Sequence, residues 1–129
     1  MSDQFVVGVD FVCVSAPDHE ASVAFYEEVL GLQRAKSWGD LPATEFETGN
    51  LTIAVIDWTA LGRENQASPN AIVLAVEDVP AAKARLESHG VQFQTDVIDS
   101  GSCHQAYFAD PGGNALGIHA FYGARSRGQ

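Results

Sequence analysis

Residues 4–15 are β-branched and aromatic with little interruption until Ala16-Pro17-Asp18 stops the run, a pattern that predicts a strand. Asp18 is a candidate N-cap with acids near it. Ser22, Phe25, Tyr26, Val29 and Leu30 then recur at helical spacing up to Gly31, which suits the position just past a helix C-terminus. Residues 32–38 read as a short strand, Gly39-Asp40-Leu41-Pro42 as a turn, and residues 44–47 as a second strand. After the turn Thr48-Gly49-Asn50, residues 51–58 alternate, with Leu51, Ile53 and Val55 on one face and Thr52, Ala54 and Ile56 on the other. The order is β-α-β-β-β. Residues 59–70 hold Gly, Pro, Ser and two Asn without either period, and read as a linker. The order then repeats. A buried strand over 71–76 leads to a helix opened by Asp78-Val79-Pro80 and ended by Gly90, followed by strands over 91–97, 102–109 and 115–121. The tail, 123–129, is expected to be frayed.

Counting supports a duplication. Phe11 precedes Asp18 by seven residues and Ala71 precedes Asp78 by seven, while Gly31 and Gly90 follow those acids by thirteen and twelve. Phe46 precedes Gly49-Asn50 much as Phe108 precedes Gly113-Asn114, with two extra residues in the second hairpin. That second hairpin organises the chain: Asp110-Pro111-Gly112-Gly113-Asn114 is a dense group of turn residues. The strand leaving it sets Leu116, Ile118 and Ala120 against Gly117, His119 and Phe121, and function is expected on the second set. A lone module with one helix covers one face of its sheet and leaves the other open, so the two modules, 4–58 and 71–122, are expected to pair around a cleft.

Composition narrows the function. A chain of 129 residues, 46% hydrophobic, makes a single domain with a core that needs no disulfide staples. Seventeen acids against seven bases give a net charge of −10, which repels phosphates and argues against nucleic acid while favouring neutral or cationic ligands. No apolar run reaches membrane-spanning length, and residues 5–14 are broken by Gly8 and Asp10 without a basic leader, so the expected location is the cytoplasm. Cys13 and Cys103 lack metal-type spacing and read as free thiols. The Gly-Gly pair joins two strands and is no phosphate loop. Neighbours Cys103 and His104 point to opposite faces of a strand and form no nucleophile with its base. Glu45, Glu47, Asp57 and Asp99 are dispersed and read mostly as solvated carboxylates.

The segments Phe25-Tyr26-Glu27-Glu28-Val29-Leu30-Gly31-Leu32, Val76-Glu77-Asp78-Val79 with Leu86 and Gly90-Val91, and Phe108 with Asp110-Pro111-Gly112-Gly113-Asn114 resemble the vicinal oxygen chelate superfamily. That group includes glyoxalase I, bleomycin-resistance proteins and extradiol dioxygenases, and the resemblance spans residues 5–121. It implies an α+β fold of two tandem βαβββ modules, with a curved mixed sheet around a cleft, often in a homodimer. Enzymes of the group place His, Glu or Gln on the open face of the first and last strand of each module. Counting back seven residues from the helix-opening Asp puts Phe11 and Ala71 at two of these positions. Counting three on from the hairpin Asn puts Ile53 and Gly117 at the others. None of the four side chains can ligate a metal, so neither metal nor other cofactor is expected. An alternative set is His119, His104 and Cys13. Pairing Asp110 with Ala115 brings His104 to the face of His119; pairing Ala109 with Ala115 puts it on the other.

The expected cleft is lined by Phe11, Cys13, Ile53, Ala71, Val73, Gly117, His119 and Phe121, with His104 undecided. Trp38 and Trp58 flank it as faces for a planar or cationic ligand. Small residues at Ala71 and Gly117 leave volume where metal ligands would otherwise converge. The leading expectation is a metal-independent protein, similar to the bleomycin-resistance branch, that binds an apolar or aromatic compound for sequestration or resistance. The alternative is a lyase, isomerase or dioxygenase with shifted ligands, or a metal-free enzyme using His119 as general base. A third reading is an assembly domain with a vestigial cleft.

Overall fold

The computed structural model describes residues 3–122. Strand β1 (Val12–Ser15) leads into helix α1 (His19–Ala24), and strands β2 (Gln33–Ser37), β3 (Ala43–Glu47) and β4 (Thr52–Ile56) complete the first module. The second comprises β5 (Ile72–Ala75), α2 (Val79–Ser88), β6 (Ile98–Asp99), β7 (Cys103–Ala109) and β8 (Ala115–Phe121). Each module makes a four-stranded mixed sheet, ordered β1-β4-β3-β2 and β5-β8-β7-β6, in which the edge strand before the helix pairs in parallel with the last strand. The fold is thus the α+β, two-module arrangement that the repeat predicts.

Both helices start at a capping carboxylate, Asp18 accepting from the Ala21 N–H at 3.1 Å and Asp78 from the Ala81 N–H at 2.9 Å. Helix α1 is short because the chain widens into a π-turn over Phe25–Val29, where the Leu30 N–H reaches the Phe25 carbonyl at 3.0 Å. Phe25 lies 6.4 Å from Phe108 and Tyr26 stacks at 5.8 Å on Phe46, so adjacent residues of this turn serve the two modules. Phe46, Ile53 and Val55 of the first sheet join Phe108, Leu116 and Ile118 of the second in one core with Val79 and Leu86 of α2.

The Asp110–Asn114 turn fastens this shared core. Both residues are buried. Asp110 accepts from the Tyr26 hydroxyl at 2.6 Å and from the Asn114 backbone N–H at 2.9 Å; the Asn114 amide donates to the Ser15 carbonyl at 2.7 Å and accepts from the Ser68 N–H at 2.9 Å. Burial, and then the Asp110 charge, push the Tyr26 phenol far up, so it stays a donor. A Cβ at Gly112 would meet the Ser15 carbonyl oxygen at 2.5 Å, so glycine there permits the loop's close approach to β1.

Two predicted strands differ from the structure. The strand expected over 4–15 begins only at Val12, because Val12 pairs with Ile53 and the preceding residues run past the start of β4. Phe5 and Val7 are left 89% and 93% exposed. The strand expected over 91–97 is replaced by two paired residues, Ile98 and Asp99. Its alternation is real, since Val91, Phe93 and Val97 pack on the core, but a Thr95 hydroxyl rather than a carbonyl takes the Tyr107 N–H at 3.2 Å. The expected linker opens with a 3-10 turn, Trp58–Leu61, and is tied down by the Gln66 N–H on the Ser15 hydroxyl at 3.1 Å. The tail 123–129 lies outside the described residues.

Candidate functional site

Strand register fixes which side chains share the faces turned away from the helices. In the first module Cys13, Ala54 and Glu45 lie side by side across β1, β4 and β3. In the second, Val73, Gly117 and Tyr107 line up across β5, β8 and β7, with His119 beside Gln105 and Phe121 beside Cys103. These two concave faces are the candidate site. Val73 is 45% and Phe11 41% exposed, so each face is open at one edge in the single chain, although Ala54 and Glu45 in the middle of the first are buried; the bonds joining the modules run through the helix side and the Asp110–Asn114 turn.

Of the residues considered for the cleft, Ile53, His104 and Trp58 are engaged elsewhere. Ile53 pairs with Val12 and Phe46, is fully buried, and belongs to the helix-side core. The counterpart of Gly117 is therefore Ala54. The count slipped by one residue because Leu51 closes the turn, its carbonyl accepting from the Thr48 N–H at 3.0 Å, before the ladder starts at Thr52. His104 also faces away: Ala109 pairs with Ala115, which sets His104 opposite Ala120. Its Nε2 lies 3.3 Å from Asp99 and its ring 4.6 Å from that of Tyr122, so His104, His119 and Cys13 do not converge. Trp58 starts the 3-10 turn and has the Arg63 guanidinium 5.5 Å above its ring, a local role.

The space expected above Gly117 is filled. A Cβ there would lie 2.7 Å from Cε1 and 2.8 Å from Cδ1 of Tyr107, whose ring lies across the glycine while its hydroxyl bonds to Gln105. Sequence reasoning passed over Tyr107, although the Ala109–Ala115 register places it opposite Gly117. It also passed over Glu45, read as solvated but only 8% exposed. Its Oε2 accepts from the Trp38 indole N–H at 2.6 Å, and the Trp38 ring meets Phe11 edge to face at 5.3 Å. Burial, and then the negative charge of Glu45, raise the Cys13 thiol above its usual range. Iodoacetamide is accordingly expected to label Cys13 slowly at neutral pH, and Glu45→Gln to quicken labelling, as read by peptide mass spectrometry; an unchanged rate would contradict this origin.

A metal is a poor fit. The positions that the resemblance assigns to metal ligands, corrected for the strand register, carry Phe11, Ala54, Ala71 and Gly117, which offer no side-chain donor, and among the described residues no three His, Cys, Asp or Glu gather as a divalent ion requires. His119 meets Phe121 edge-on at 4.6 Å, beside Gln105 in the register. A cavity of about 490 Å³ lies between the β3–β4 turn of the first module and β5 and α2 of the second, lined by Leu30, Leu51, Ile72, Arg85 and Leu86 among others and reaching Val73 at the edge of the second concave face. No helix among the described residues is long and apolar enough to cross a membrane.

Paired βαβββ modules with open concave faces define a protein of the vicinal oxygen chelate type. The chain belongs to the Glyoxalase/Bleomycin resistance protein/Dioxygenase superfamily, whose profile matches residues 8–118. Its fold is similar to lactoylglutathione lyase from Agrobacterium tumefaciens, with a TM-score of 0.73 at 18% identity, covering 90% of this chain and 95% of that one. TnmS3, an antibiotic binding protein from Streptomyces sp. CB03234, has a TM-score of 0.75 at 23% identity, covering 93% and 100%. A glyoxalase family protein from Bacillus anthracis has a TM-score of 0.76 at 22% identity, covering 94% and 100%.

Proposed function

We propose that the chain binds a planar, largely apolar small molecule without a metal ion, in a cleft closed between the first concave face of one copy and the second concave face of another. The observation that carries this reading is the content of the two faces: Phe11 and Ala54 on the first, with Trp38, and Ala71 and Gly117 on the second, with the rings of Tyr107 and Phe121. Such a lining offers area and π faces to a flat ligand and no donors to an ion. The family includes glyoxalases, bleomycin-resistance proteins and dioxygenases, and TnmS3, of similar fold, is an antibiotic binding protein. Sequestration in the cytoplasm is the matching role.

Two features favour a homodimer. Each concave face is open at one edge, and Phe5, Val6, Val7 and Val9 are all exposed on the arm leading to one of them, apolar side chains that a partner copy would cover. Light scattering is expected to give twice the 13.8 kDa chain mass. In thermal melts with EDTA present, two- and three-ring aromatic compounds at about a hundredfold excess over Kd should raise Tm by roughly 5 °C or more. A monomer that binds equally well would overturn the shared cleft. Absence of any shift across the panel, or shifts that EDTA abolishes, would overturn metal-free binding.

A further inference from the structure

We infer that the corner formed by Glu45, Trp38 and Phe11 receives a cationic group of the ligand, a protonated amine or a guanidinium carried on an apolar or aromatic frame. This rests on the reading that the concave face binds a small molecule, and it adds the ligand's charge.

Glu45 is only 8% exposed, and a carboxylate so removed from water ordinarily has a cation or several donors around it. Here its described partner is one indole N–H, that of Trp38 on Oε2, while Oε1 is not sealed from solvent and remains open to a guest. The ion pairs among the described residues lie elsewhere: Arg34 with Glu27, Lys83 with Glu87, and His104 with Asp99. Lys36, in the irregular stretch of β2 beside β3, is exposed and makes none of them. Across the sheet the carboxylate has Ala54 beside it and Cys13 beyond, neither a cation. The thiol of Cys13 is held protonated in part by the Glu45 charge, which is thus felt across the small alanine. A carboxylate largely shielded from water and without a counterion gains when a ligand brings the opposite charge.

The walls suit the same guest. Phe11 and Trp38 meet edge to face at 63°, which sets two rings in different orientations on the same side as the carboxylate. Aromatic faces attract ammonium and guanidinium groups through the ring quadrupole, and an apolar frame can then extend over the rest of the cleft. The net charge of −10 adds attraction at long range.

The test uses three probes of one shape: 1-naphthylmethylamine, protonated at neutral pH, 1-naphthylmethanol, neutral, and 1-naphthoate, anionic. Calorimetry on the full chain is expected to show the amine binding roughly tenfold more tightly than the alcohol and the naphthoate more weakly than either. Raising salt from about 0.05 to 0.5 M should narrow the gap between amine and alcohol. Glu45→Gln should abolish that gap while changing the alcohol's affinity by less than about twofold. It should also leave Tm unchanged or raise it by about 3 °C, since it removes an uncompensated charge and keeps an acceptor for Trp38. Trp38→Phe retains a ring and the carboxylate, so the preference for the amine should survive in it. Equal binding of amine and alcohol by the wild type, or a preference that survives in Glu45→Gln, would overturn the cation site and leave the cleft reading standing. Failure of all three probes to bind would overturn both.

Discussion

Asp110→Ala is expected to destabilise the protein by about 4 kcal/mol, enough to lower Tm by more than roughly 10 °C. The carboxylate is buried and accepts from the Tyr26 hydroxyl, the Asn114 backbone N–H and the Asn114 amide, at 2.6 to 3.1 Å. Removing it leaves the phenol without an acceptor in the shared core and loosens the Asn114 side chain, which also ties the hairpin to β1 and to Ser68. Hydrogen bonds to a charged group contribute about 1.5–3 kcal/mol each, and an orphaned buried donor costs about 1–3 kcal/mol more, with the terms overlapping because they form one network. Tyr26→Phe deletes one donor while Asn114 still engages the carboxylate, so its cost should be nearer 1–2 kcal/mol. Urea unfolding of the two variants checks both. An Asp110→Ala protein within about 1 kcal/mol of wild type would mean that water replaces the network without penalty.

The second large effect concerns the concave face. Gly117→Ala puts a methyl group 2.7 Å from the Tyr107 ring, with the Ala106 carbonyl oxygen 3.3 Å away on another side. Overpacking of this kind typically costs about 1–3 kcal/mol, and the ring has to move for the methyl to fit. Tyr107→Ala removes the obstacle. In that background Gly117→Ala should cost less than about 0.5 kcal/mol, so the double-mutant cycle should return a coupling of more than about 1 kcal/mol. Additive costs would refute the account, because they would place the strain on the backbone rather than on the ring.

Features set by neighbours in the chain were legible in the sequence. The capping roles of Asp18 and Asp78, the positive φ of Gly31 and Gly90, and the turn at Asp110–Asn114 each follow from local chemistry, and the repeated order follows from them. What was lost depends on partners distant in sequence. Ile53 went to the wrong face because a strand's period of two turns a single-residue slip into an inversion, and the slip lay in a turn whose closing carbonyl, that of Leu51, nothing in the sequence marks. His104 hung on a hairpin register that two pairings satisfied equally. Glu45 looks like any surface acid until Trp38, seven residues earlier, is seen to cover it. The turn motif was legible as a turn, but its larger part, joining β1, Tyr26 and Ser68 through two side chains, needed the fold to bring those partners to it.

The contact between Gly117 and Tyr107 also imposes an order on how this protein can change. A carboxylate introduced at 117 would meet the ring before it could reach the cleft, so the ring has to move at a cost, which replacing the aromatic side chain at 107 first removes. That first step removes ring area from the binding face and brings no new chemistry of its own. The two positions are epistatic, and the route from this chain to one with a donor at that place descends before it climbs. Laboratory evolution toward metal-dependent activity should therefore start from a Tyr107→Ala parent, because libraries that diversify 117 alone carry the cost of displacing the ring in every member.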